Sequence, residues 1–118
     1  MQQKILIVDD NPNMSSLLSE MLEVFDHESV RAADGNEALT ELEAGNFSIV
    51  ISDMRMPNMS GLELLREVKS RFPKVRVVLI SGFANGAEEA RAEGLAPDGF
   101  LGKPLMMSDV EKMLNSLL

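Results

Sequence analysis

The sequence predicts an α/β domain in which a parallel sheet carries helices on both faces, and two observations support this. Short apolar runs alternate strictly with segments of helical periodicity, five of each, the pattern of a parallel sheet built through helical crossovers. The runs at residues 4–8 and 48–52 are apolar and β-branched at their centres, as strands buried on both faces are. Each gives way abruptly to carboxylates, Asp9 and Asp10 after the first and Asp53 after the other.

Residues 4–8 form the first predicted strand. Asn11 is placed to cap the next helix, and Pro12 suits its first turn. Met14, Leu17, Leu18, Met21, Leu22 and Phe25 recur at i, i+3, i+4, i+7, i+8 and i+11, an amphipathic stripe that core packing explains. Residues 28–33 alternate, with Val30 and Ala32 on one face, and read as an edge strand. Asp34 precedes Glu37 by three residues; Ala38, Leu39 and Leu42 follow, and Gly45 ends that short helix. After the strand at 48–52, Ser60 and Glu63 make a capping box for a helix with Leu62, Leu65, Val68 and Phe72 inward, stopped at Pro73. Residues 75–80 are a further buried strand, closing on Ser81 and Gly82.

The fourth helix is capped within residues 85–88, and its inward candidates are Ala87, Ala90, Gly94 and one large residue, Leu95. At ~25 cal/mol per Å² of buried apolar surface, it is the least firmly held helix in the chain. A short fifth strand spans residues 98–101, followed by Gly102, Lys103 and Pro104. Ser108 and Glu111 make a third capping box before a last helix with Val110, Met113, Leu114 and Leu117 inward. Right-handed crossovers leave few topologies open. A flavodoxin-like order, 2-1-3-4-5, fits, with the two most polar strands at the edges.

One domain is expected across residues 1–118, a length that buries about two-thirds of the unfolded surface. No apolar run approaches the ~20 residues of a membrane span, and the start lacks a signal-peptide pattern. The absence of cysteine excludes disulfides and thiolate metal sites and is compatible with a reducing cytoplasm. A net charge of −8 argues against a nucleic acid partner. The loose basic cluster Arg66, Lys69, Arg71, Lys74 and Arg76 reads as a solvated helix end. His27, the only histidine, is expected to face solvent.

Asp53 by itself reads as an acid closing the loop that runs to Pro57. In the 2-1-3-4-5 order, however, strands one and three meet where the strand order reverses, and ligands sit outside the carboxyl ends there. Asp9, Asp10, Asp53, Ser81 and Lys103 therefore converge on one rim. Two like charges about 4 Å apart repel by roughly 4 kcal/mol at an effective dielectric of about 20. Such a cluster calls for positive charge, and oxygen ligands with open water positions suit Mg²⁺ or Mn²⁺.

With those residues in place, the chain resembles, end to end, the receiver domain of two-component response regulators. The matching elements are Asp9-Asp10, the segment from Asp53 through Met54, Arg55, Met56, Pro57, Asn58, Met59 and Ser60 to Gly61, then Ser81-Gly82, Phe100 and Lys103-Pro104. The resemblance implies a signalling switch whose Asp53 takes a phosphoryl group from a phosphohistidine on a sensor histidine kinase or histidine phosphotransfer protein. It further implies that Asp10, Asp53 and the backbone carbonyl of Arg55 hold Mg²⁺, with Asp9 assisting through water. Lys103 would pair with the phosphoryl oxygens; the Ser81 hydroxyl and backbone N–H groups near Met54 and Gly82 would complete the cradle. Phe100 reads in isolation as a core aromatic, whereas the resemblance makes it a rotameric switch coupled to Ser81. Lys103-Pro104 resembles the family's cis peptide.

Arg55 and Phe83 are expected to flank the phosphoryl group, two positions beyond Asp53 and Ser81. The fourth helix, fifth strand and last helix would recognise a downstream effector or a second copy of the chain, with no direct nucleic acid or membrane contact and a cytoplasmic location. Three rivals are an aspartate-nucleophile phosphatase, an FMN binder on the same fold and an unphosphorylated adaptor. The phosphatase needs a second acid where Arg55 stands, and the FMN binder needs a Ser/Thr/Gly loop after the first strand. The intact acid set counts against the adaptor.

Overall fold

Alternate residues of the inner strands decide which helix covers which face of the sheet. The computed structural model describes residues 4–56, 58–82 and 86–117, with the backbone alone at 86 and 87. The strands are β1 (Lys4–Val8), β2 (Glu28–Ala32), β3 (Ile49–Asp53), β4 (Arg76–Ser81) and β5 (Gly99–Gly102). Between and after them run α1 (Pro12–Val24), α2 (Gly35–Ala44), α3 (Gly61–Arg71), α4 (Gly86–Ala92) and α5 (Met107–Leu117). All strand pairs are parallel and the order is β2-β1-β3-β4-β5, as the sequence predicts.

Ile5 and Ile7 of β1, Ile49 and Ile51 of β3, and Val78 and Ile80 of β4 pack with Leu18 and Leu22 of α1 and Val110 and Leu114 of α5. The intervening residues, Leu6, Val8, Val50, Val77 and Leu79, meet α2, α3 and α4 on the opposite face. With both faces covered, the strand ends are where the sheet meets solvent. The register sets Val8 beside Ser52, Asp53 beside Ile80 and Ser81 beside Gly102, so the carboxyl ends of β1, β3, β4 and β5 fall within two residues of one another.

The first three helix starts form as their sequences dictate. Asn11 accepts from the N–H groups of Asn13 and Met14, and Asp34 from that of Glu37. Ser60 and Glu63 complete a reciprocal capping box.

The structure corrects several details. Leu17 is 42% exposed, and the buried line of α1 runs through Ser15, Leu18, Met21 and Leu22. Ser15 tolerates burial because its hydroxyl donates to the Pro12 carbonyl. In α3, Leu64 joins the core beside Leu62, Leu65 and Val68, whereas Phe72 is only half-buried. The capping box expected at Ser108 does not form. Leu105 is buried beneath α5, and the helix starts at Met107 with the Asp109 and Val110 N–H groups donating to Met106. Gly94 is exposed at φ +72 beyond the end of α4 rather than inward. Ala90 is buried and Leu95 packs partly against the core as expected, while the cap at residue 85 and the Ala87 side chain lie outside the described residues.

His27 is half-buried rather than solvent-facing, beside Phe25, Glu111 and Leu114. Four of the five basic residues read as a solvated helix end are paired with acids. Lys69 meets Asp98 at 2.6 Å and Arg76 meets it at 3.7 Å; Arg66 pairs with Glu93 and Arg71 with Glu43.

Candidate functional site

Asp9 directly follows β1 and is 4% exposed. The Asn11 N–H fixes its Oδ1 at 2.9 Å, while Oδ2 is buried without a hydrogen-bond partner. Burial chiefly pushes its pKa above the ordinary carboxylate range, and the charges of Asp53 and Asp10 add to this. The Asn11 N–H and the Lys103 ammonium offset only part of the rise. Asp10, the next residue, is exposed. Asp53, at the end of β3, is 6% exposed; its Oδ1 accepts from the Arg55 N–H at 3.3 Å and its Oδ2 from Lys103 Nζ at 3.2 Å. One carboxylate oxygen from each of Asp9, Asp10 and Asp53 lies within 4.8 Å of the others. Two parallel strands thus bring residues more than forty positions apart into one acidic cluster, with an ammonium on its flank.

The loops hold this geometry. Gly61 opens α3 hard against β3: a Cβ there would stand 2.4 Å from the Asp53 carbonyl oxygen and 2.7 Å from Met54 Cα. Its N–H donates to the Met54 carbonyl, and the buried Ser52 hydroxyl donates to that of Asp53. Asn58, at φ +70, turns the loop between them. On the other side the Lys103 N–H donates to the Ser81 carbonyl, Gly82 lies against the Lys103 stem, and the Lys103-Pro104 peptide is cis.

Not every residue singled out in the sequence stands where that reading put it. The Met54 N–H donates to the Ile80 carbonyl, because the β3–β4 ladder runs one residue past the strand, so it does not face the rim. Among the described residues, the backbone N–H that donates to the Asp53 carboxylate is that of Arg55. Ser81 is buried at the end of β4. Phe100 is 36% exposed on β5, so it is not a core aromatic in this conformation. Phe83 lies outside the described residues. The Arg55 side chain reaches Glu89 of α4 at 2.8 Å, a contact between residues 34 positions apart that no local pattern signals.

These features define a doubly wound domain with an acid cluster at its switch point, and the comparisons with known proteins agree. The response regulator receiver domain family matches residues 5–115, and the chain belongs to that family. It is 29% identical to the Thermotoga maritima response regulator TrrA, solved in complex with Mg²⁺ and BeF, with a TM-score of 0.88 over 98% of this chain and 99% of that one. Against the chemotaxis response regulator CheY4 of Vibrio cholerae the values are 28% and 0.89, with both chains fully covered. A curated relative, the probable transcriptional regulator ycf27 of Cyanophora paradoxa, is 28% identical over 99% of this chain. The chain spans about half (48%) of that relative's length.

Proposed function

We propose that this domain is a phosphorylation-dependent switch in which Asp53 accepts a phosphoryl group from a phosphohistidine. The observation that carries the reading is the placement of Asp53 among Asp9, Asp10 and Lys103, with the ammonium 3.2 Å from its carboxylate. The donor set fits a hard divalent cation, since three carboxylates converge and one buried oxygen, Asp9 Oδ2, has no hydrogen-bond partner. Asp10, Asp53 and the Arg55 carbonyl would hold Mg²⁺, or Mn²⁺ in its place, with Asp9 acting through water. The bound ion supplies charge neutralisation at the transferring phosphoryl oxygens.

The chain's own residues do the rest. A carboxylate oxygen of Asp53 attacks phosphorus as the N–P bond breaks, and the bonding pair returns to the imidazole nitrogen of the donor. Lys103 steadies the charge gathered on the phosphoryl oxygens, which requires it to shift its contact from carboxylate to phosphoryl. The Ser81 hydroxyl and the N–H groups of Arg55 and Gly82 would hold the remaining oxygens. The product is a mixed anhydride that water cleaves at phosphorus, regenerating Asp53. Inactive and active conformations pre-exist, and the phosphoryl group favours the active one through its contacts with Ser81 and Lys103. Phe100 would turn inward as Ser81 engages, altering the face made by α4, β5 and α5.

On this reading the partners are a sensor histidine kinase or histidine phosphotransfer protein upstream, and an effector or second copy of the chain at the α4, β5 and α5 face. Residues 1–118 act as one receiver domain in the cytoplasm, alone or as part of a longer regulator. The test is labelling with acetyl phosphate, read by intact mass. The parent gains one phosphoryl group with Mg²⁺, whereas chelation or Asp53→Asn abolishes the gain. Equal labelling of Asp53→Asn, or none of the parent, overturns the proposal. A phosphatase would instead turn over p-nitrophenyl phosphate repeatedly, and Arg55, standing two residues after Asp53 where such an enzyme needs an acid, argues against it.

A further inference from the structure

Arg55 touches two elements at once. Its backbone N–H donates to Asp53 Oδ1 at 3.3 Å, while its guanidinium Nη2 pairs with Glu89 Oε1 of α4 at 2.8 Å. About one turn further along, Glu93 just beyond α4 meets Arg66 of α3 at 3.4 Å. Among the described residues, the apolar grip on this seven-residue helix rests on Ala90, with Leu95 beyond its end. Arg55 and Arg66 thus tether the acidic side of α4 to the loop and helix that follow the phosphoacceptor strand. The Arg55 side chain is 61% exposed, so the guanidinium borders solvent.

We propose that Arg55 and Glu89 form a charge latch on α4 that opens when Asp53 is phosphorylated. The idea rests on the phosphoacceptor role argued above for Asp53. Phosphorylation replaces a singly charged carboxylate with a group carrying about two negative charges and three acceptor oxygens. A guanidinium binds carboxylate and phosphoryl groups alike through its planar fork, so the two compete for it. Glu89 is partly solvated, at 30% side-chain exposure, and is the weaker competitor once the second charge arrives beside the Arg55 backbone. The guanidinium turns to the phosphoryl oxygens, Glu89 loses its partner, and α4 is left on its apolar contacts and Arg66. Lys103 and Arg55 then flank the phosphoryl group together, and of these two cations Arg55 is the one paired with α4 beforehand.

Hydrogen exchange of the α4 amides in the full chain tests this, with and without acetyl phosphate and Mg²⁺, while intact mass reports phosphoryl uptake. In the parent, phosphorylation should accelerate exchange in α4 about two- to fivefold, the range that loss of an exposed ion pair supports, and leave α1 unchanged. Glu89→Gln should exchange at the faster rate already without phosphate, and its further acceleration on phosphorylation should be smaller than the parent's. Arg55→Gln, which keeps the backbone N–H, should behave likewise. The exchanged pair Arg55→Glu with Glu89→Arg should restore slow exchange without phosphate and lose the acceleration with it. Phosphoryl uptake with equal acceleration in the parent and both single variants overturns the latch alone. No uptake by the parent overturns both the latch and the phosphoacceptor reading.

Discussion

Gly61 lacks a side chain because β3 leaves no room for one. A methyl group there would press on the backbone of Asp53 and Met54 at 2.4 and 2.7 Å, contacts that only a shift of the loop can relieve. Gly61→Ala should therefore cost about 1–3 kcal/mol in urea unfolding and also slow acetyl phosphate labelling, because the displaced backbone carries Asp53. Loss of stability with an unchanged labelling rate would show that the loop yields without moving the carboxylate. The residues of the rim were legible as types, since Asp9, Asp10, Asp53, Ser81 and Lys103 each follow or end a strand. The glycine's close approach and the Arg55–Glu89 pair were not, because each depends on a neighbour delivered by a different part of the chain.

At the scale of the element, Leu17 and Leu64 show what periodicity does and does not decide. Both belong to amphipathic helices, yet Leu64 is fully buried between α3 and the sheet while Leu17 is 42% exposed. Leu64→Ala should lower stability by about 2–5 kcal/mol, and Leu17→Ala should change it by no more than about 0.5 kcal/mol. Denaturant midpoints at equal slope check both. The 3.6-residue pattern identifies a helix and an apolar stripe, but the roll of the helix on the sheet decides which margin of the stripe is covered. The start of α5 is a similar case. Ser108 and Glu111 have the spacing of a box, but burial of Leu105 starts the helix at Met107 and leaves Ser108 inside the first turn.

Across the whole molecule, Asp98 fastens the β5 edge to its neighbours. Its N–H donates to the Val77 carbonyl, and its Oδ2 accepts from the Val77 N–H at 2.8 Å and from Lys69 of α3 at 2.6 Å. Burial by itself would raise its pKa. The Lys69 and Val77 hydrogen bonds, with the charges of Lys69 and Arg76, outweigh that and hold it below the ordinary 3.8. A carboxylate with a depressed folded-state pKa contributes stability that is complete above the unfolded value and disappears as pH falls through the folded one. Asp98→Asn should thus destabilise the protein at neutral pH, by about 1.5–3 kcal/mol for lost hydrogen bonds to a charged group. The difference from the parent should shrink below pH 3.8. In metal-free buffer Asp9, with its raised pKa, works in the opposite sense, because the native state takes up its proton first and gains stability as pH falls. Urea midpoints across the acid range separate the two, since only the Asp98 contribution vanishes in the variant.

Alternation of apolar runs with amphipathic stripes was enough to determine the five βα units, their parallel sheet and the rim on which the acids gather. Those properties come from local periodicity and from strand ends, both of which are written along the chain. The partners of the cations, the roll of α1, the entry to α5 and the outward set of Phe100 were decided only by the tertiary structure. Each depends on how close two distant segments come, and that distance is set by the packing of all the side chains between them.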